Sequence, residues 1–186
     1  QEKVELYNYG PPDEVLAVGG GATIAGKLGV GVTNPTEALE VNGIIRNNNP
    51  RFYAHNNTGG STSTAGVANA FNLTYVNTGA HYNTSLSRFT APVDGVYEFQ
   101  FAALHRYVSG TGSSELSFAK NGTLISIRGI SFTYVTAISD HDYNTADIML
   151  ELVKGDYIEP YIYSVQSGTD IYYGGGLAHF SGKFIG

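Results

Sequence analysis

Two stretches of the chain alternate apolar and polar side chains with a period of two, the pattern of a strand that buries one face. In residues 95–107, Tyr97, Phe99, Phe101 and Ala103 share one face while Glu98 and Gln100 take the other. Ile148, Leu150 and Leu152 alternate likewise with Met149, Glu151 and Val153, and Lys154-Gly155-Asp156 then turns the chain into a further strand over 157–163. Residues 115–129 read as two strands around Asn121-Gly122, a dipeptide suited to a tight hairpin turn. The closing segment, 177–186, adds another strand. Pro160 cannot donate a ladder hydrogen bond, so it is expected at a sheet edge or a bulge. No segment has helical periodicity. The expectation is all-β, an antiparallel sandwich of roughly eight to ten strands.

Residues 26–43 (GKLGVGVTNPTEALEVNG) also alternate, yet with side chains too small to fill a core. Glu14-x-Leu16-x-Val18-x-Gly20 recurs as Glu37-x-Leu39-x-Val41-x-Gly43, a shift of 23 from Glu14 to Glu37. Within each copy Leu and Val stand two apart, on one face of a strand. Such strands have no second layer in their own chain, so partner chains must supply it. Three copies wound about one axis satisfy this, with Gly19, Gly20, Gly29, Gly31 and Gly43 permitting close approach. A flexible Gly-rich linker is the competing reading, and the regular alternation of Leu, Val and Ile disfavours it. After residues 46–50 aromatics become frequent. The expected division is a β-structured stem over 1–48 and a globular head over 49–186.

Apolar residues make up 42% and charged residues only 14%, with 24 Gly and 14 Tyr, which suits short strands and tight turns rather than salt-bridged helices. A net charge of -6, with ten Lys and Arg and no basic cluster, argues against nucleic acid and against anionic lipid as partners. No apolar run approaches the ~20 residues of a membrane span, so no membrane insertion is expected. The chain has no cysteine, which leaves packing or oligomerisation to supply stability outside the cell.

Catalysis needs acid, base or nucleophile placed beside its partners. His55, His81, His105, His141 and His179 are dispersed, and no His-Glu-x-x-His, Gly-x-Ser-x-Gly or phosphate loop occurs. The chain is therefore read as a binding protein, not an enzyme, with no required cofactor. Residues 139–144 (SDHDYN) are the densest polar cluster, where Asp140 and Asp142 are candidate ligands for a hard cation such as calcium. Asp170 is a further candidate, because a threefold axis turns one carboxylate into three. A solvated loop is the alternative reading of that cluster. Tyr172 and Tyr173, before Gly174-Gly175-Gly176, are expected in a loop between the last two strands, where aromatic faces stack on a sugar or a protein; Tyr134 is a third candidate. Core or interface packing is the alternative for all three. Asn-x-Ser/Thr triplets begin at Asn56, Asn72, Asn83 and Asn121, and in a chain this rich in Asn and Thr they arise by accident.

Two resemblances add to this. Gly29, Val30, Gly31, Pro35, Leu39, Val41 and Gly43 resemble, in order, a Gly-rich stem element of bacteriophage tail fibres and some bacterial surface proteins, with Val32 departing from the usual Thr. Asn77, Gly79, Tyr82, Phe89, Pro92, Gly95, Tyr97 and Phe99, followed by residues 120–122, 150–158 and 180–182, resemble the complement-one-q globular head, a tumour-necrosis-factor-like jelly roll covering residues 51–186. Lys183 departs from that pattern and leaves the register of the closing strand open. Together the resemblances imply a homotrimer: an extracellular fibre tip, of a phage tail fibre, that binds a cell-surface receptor, a glycan or a protein. The alternative is a structural subunit of an extracellular bacterial filament or surface layer. An enzyme acting on surface polysaccharide is the weakest reading, since no carboxylate pair stands out.

Overall fold

The computed structural model describes residues 25–45, 47–107, 112–125 and 141–186, and every regular element among them is a β-strand. The chain divides into two compact units, 1–47 and 48–186.

In the first unit β1 (Leu28–Val30) and β2 (Leu39–Val41) pair in parallel, Leu28 opposite Leu39 and Val30 opposite Val41. A parallel return normally takes a crossover of a dozen residues or more. Here Gly29 shortens it: a Cβ on Gly29 would stand 2.3 Å from the Val32 carbonyl oxygen, so only glycine lets the chain fold back so closely. Glu40 fastens the return by accepting from the Thr36 amide at 2.6 Å and from its hydroxyl at 3.1 Å. Leu28, Val30 and Leu39 remain 39%, 49% and 54% exposed, so this apolar face is uncovered among the described residues. The other copy of the repeat, residues 14–20, lies outside the described residues.

The head follows as β3 (Arg51–His55), β4 (Ser61–Thr62), β5 (Gly66–Val67), β6 (Leu73–Thr78), β7 (Tyr82–Asn83), β8 (Arg88–Thr90), β9 (Gly95–Tyr107), β10 (Ser114–Lys120), β11 (Thr123–Leu124), β12 (His141–Leu152), β13 (Tyr157–Val165), β14 (Thr169–Tyr172) and β15 (His179–Phe184). Among the described residues these form two antiparallel sheets, the layers of a jelly-roll sandwich. One runs β11-β10-β13-β8-β7, with β5 also on β13. The other is organised by β9. Along one edge β9 pairs with β12 from Gly95 to Arg106; along the opposite edge it pairs first with β15 and then with β14. From β15 the sheet continues through β3 to β6, and from β14 to β4.

The alternation in β9 puts Tyr97, Phe99, Phe101 and Ala103 between the sheets, all fully buried. In β12, Ile148 and Leu152 face inward while Met149 is 66% exposed, as is Val153, at 59%, just after the strand. Phe52 centres an aromatic core, stacked on Tyr82 at 4.6 Å and on Phe89 at 5.2 Å and edge-on to Phe180 at 4.8 Å. The Asn121-Gly122 hairpin is present, with φ of 53° and 75° at its two central residues. Asp156 ties this hairpin to the next turn: Lys120 Nζ lies at 2.8 Å, Asn121 Nδ2 donates to it at 2.7 Å and the Val153 amide at 3.0 Å, and these hold its pKa down to about 2.

Pro160 departs from expectation. It sits inside a sheet, opposite Phe118, with β10 on one side and β8 and β5 on the other. Its carbonyl accepts from the Ala68 amide at 2.8 Å, so its nitrogen faces the junction between the end of β5 and the start of β8, and no ladder donor is needed there. The closing strand has a definite register: Gly182 lies opposite Phe52 and Phe99, and Lys183 points outward to pair with Glu98 at 3.0 Å.

His105 is the anomaly of the interior. It is fully buried near the C-terminal end of β9, and among the described residues neither ring nitrogen has a hydrogen-bond partner. Burial depresses its pKa, opposed by the charges of Asp142 and Asp170. A depressed folded-state value means that the unfolded chain binds the proton first, so stability is complete above roughly pH 6.5 and falls as pH drops through that value. The melting temperature is expected to be lower at pH 5 than at pH 7.5, and His105→Leu should reduce this difference; thermal unfolding followed by circular dichroism at both pH values measures it.

Candidate functional site

Two features of the head's larger sheet carry chemistry. The first crosses the outward face. β12, β9, β15, β3 and β6 lie side by side, and their outward side chains make one continuous ladder. Gln100 Nε2 donates to Asp147 Oδ1 at 2.8 Å, which turns its Oε1 toward His179 Nε2 at 2.9 Å. That nitrogen accordingly carries the proton. The His179 ring stacks on Tyr53 at 5.0 Å, Tyr53 lies 5.9 Å from Tyr75, and Tyr75 stacks on His55 at 4.2 Å with an interplanar angle of 6°. The register slips between Tyr53 and Ala54, and this bulge makes Tyr75 an extra residue on β6, 76% exposed. Leu73 and Val76 are exposed beside it on β6, and Tyr143 and Met149 are exposed on β12, at the other side of the same sheet face. Burial lowers the pKa of His179 despite Asp147, and burial raises that of the Tyr143 phenol. Between these groups a depression of about 350 Å³ opens over Gly182, bounded by Tyr53, Gln100 and the Lys183–Glu98 pair. Large exposed aromatic and apolar side chains gathered on one sheet face, interspersed with polar ones, mark an interaction surface.

The second feature lies at the rim, where the chain passes from β13 in one sheet to β14 in the other. Arg106 of β9 stands opposite Asp170 of β14. Its Nε donates to Asp170 Oδ1 at 3.0 Å and its Nη2 to Asp170 Oδ2 at 2.6 Å and to Ser61 Oγ at 3.3 Å. The guanidinium lies 4.8 Å from the centre of the Tyr172 ring. The hydrogen bond to Asp170 raises the Arg106 pKa. Beside this cluster is a polar cleft of about 630 Å³, lined by Ser61, Ser63, Gln166, Ser167, Thr169 and Asp170 among others.

The sequence-derived candidates separate accordingly. Tyr172 and Asp170 come together around Arg106, which the sequence did not offer: the pair is 64 residues apart in the chain. Tyr172 is no free stacking platform, since Arg106 covers it and its hydroxyl occupies the space over Gly174. Tyr173 corrects the expectation of an exposed pair. It is 6% exposed and packs edge-on against Phe71 at 5.9 Å, because successive residues leaving β14 point to opposite faces. Burial raises its phenol pKa. Asp142 is exposed on β12, and its Oδ1 accepts from the Tyr143 amide. Asp170 is paired with the Arg106 guanidinium. Among the described residues no group of three or more His, Asp or Glu side chains could hold a metal ion. Tyr134 and Asp140 lie outside the described residues.

The C1q domain family model matches residues 51–185. Among solved structures, the globular domain of zebrafish complement 1qA protein is similar at 22% identity, over 74% of this chain and 98% of that one, with a TM-score of 0.53. The TNF protein Eiger from S. frugiperda is similar at 13% identity, over 74% of this chain and 93% of that one, with a TM-score of 0.51. No curated protein matches.

Proposed function

Since this chain belongs to the C1q-domain family, we propose that it is the receptor-binding tip of a homotrimeric extracellular fibre, a phage tail-fibre adhesin whose target is a cell-surface glycan. C1q and TNF-like domains commonly form trimers and bind ligands, and are typically non-enzymatic binding modules. The observation that carries the reading is the ladder from Asp147 to Tyr75, an ordered aromatic face that runs from half-buried His179 and Tyr53 to Tyr75, 76% exposed in the single chain. Two further copies cover it in the trimer. Leu28, Val30 and Leu39 of the parallel pair, exposed among the described residues, ask for the same partners, which is the role of a stem. Three heads on one shaft then engage a repetitive surface together, and linkage multiplies a weak single-site affinity by roughly 10² to 10⁴.

Immobilised bacterial surface polysaccharides and intact cells provide the test. Saturable attachment of the purified chain as a discrete particle is the expected outcome. A chain that attaches to none of them and instead elongates into filaments under negative-stain electron microscopy would be a structural subunit, and the reading would be wrong.

A further inference from the structure

We propose that the rim cleft beside Arg106 and Asp170 binds a neutral, hydroxyl-rich ligand, a sugar ring, with the Asp170 carboxylate fixing two neighbouring hydroxyls. The proposal rests on the receptor-binding reading above and gives it a site and a ligand class.

An ionised carboxylate has about four lone-pair positions. Arg106 occupies two of them through Nε and Nη2, and Asp170 also lines the cleft, its side chain 10% exposed there. The guanidinium clamp fixes the carboxylate plane, so the remaining lone pairs are oriented before a ligand arrives. Ser61 accepts from Arg106 and keeps its own hydroxyl hydrogen to give. Gln166 accepts from the Ser113 amide through Oε1 at 3.2 Å, which leaves its NH₂ group as a donor. Ser63 and Ser167 add exposed hydroxyls, and Val165 supplies an apolar wall for ring carbons.

Charge decides between sugar classes. The one carboxylate in the described lining is balanced by Arg106, and no second cation lines the cleft among the described residues. An anionic sugar would bring a charge with nothing to pair it and would meet Asp170 first. A neutral ring donates hydroxyl hydrogens to that same carboxylate through charge-assisted bonds, the stronger kind. The cleft's volume lies within the range of small-ligand sites, about 300–1,000 Å³.

Saturation-transfer NMR on the intact chain tests this, with the methyl glycosides of glucose, galactose and mannose, N-acetylglucosamine, and N-acetylneuraminic acid as the anionic comparison. At concentrations near 10 mM, above the ~1 mM expected of a few hydrogen bonds, transfer to at least one neutral sugar is expected, with none to the anionic one. Ser167→Trp fills the cleft from an exposed position and should weaken that binding at least about tenfold. Asp170→Asn should weaken it too while leaving the cleft's shape. Absence of transfer to every neutral sugar, preference for N-acetylneuraminic acid, or binding unchanged in folded Ser167→Trp would each overturn the proposal. A chain that still attaches to cells in its Ser167→Trp form keeps the receptor-binding reading and loses the cleft; one that never attaches to cells yet binds sugar here keeps the cleft and loses the reading.

Discussion

Gly182→Val is expected to leave the head unable to hold its native core, with a fall in melting temperature of roughly 10 °C or more. Any Cβ at this position would stand 2.5 Å from Phe99 Cδ1 and 2.8 Å from Phe52 Cε1, closer than non-bonded carbons approach. Neither ring has room to retreat. Phe99 is fully buried and lies 5.6 Å from Phe89, 6.2 Å from Phe180 and 6.4 Å from Phe118. Phe52 is held by Tyr82, Phe89 and Phe180 on its other sides. Overpacking usually costs about 1–3 kcal/mol and more where side chains cannot shift, against a total stability of order 5–15 kcal/mol. Near-ultraviolet circular dichroism and a thermal scan measure the outcome. Cooperative unfolding at the unmodified temperature would mean that β15 does not lie over this core.

The second large effect concerns assembly. Tyr75→Asp together with Met149→Asp should yield single folded chains, since both side chains are mainly exposed and neither supports the core. Buried aromatic anchors at interfaces contribute 2 kcal/mol or more, and a carboxylate placed in an apolar interface adds a desolvation cost. Association should weaken by roughly a hundredfold or more. Light scattering gives the mass and far-ultraviolet circular dichroism the fold. A double variant that keeps the parent's multimeric mass would remove this face from the interface.

Much of the head was legible because its strands obey a local rule. The period of two in β9 and β12 named the buried and exposed sides correctly, and Asn121-Gly122 marked its hairpin without reference to anything distant. What the sequence withheld is long-range. Pro160 lies inside a sheet because two short strands meet end to end beside it, a junction made by residues 66–67 and 88–90. Tyr172 and Tyr173 look alike as a pair before three glycines, yet β14 sends the first outward to Arg106 and the second inward to Phe71, and neither partner is a sequence neighbour. For the same reason Asp170 read as a candidate cation ligand: its guanidinium partner is in β9. The ladder from Asp147 to Tyr75 draws one or two residues from each of five strands, and no window of the sequence contains it.

In the proposed trimer the outward face of the larger sheet between Asp147 and Tyr75 is closed by two further copies of the same chain. Sedimentation equilibrium at micromolar and lower concentrations measures this. A mass of three 19.8 kDa chains that persists on dilution is expected; a folded species with the mass of one chain would contradict it.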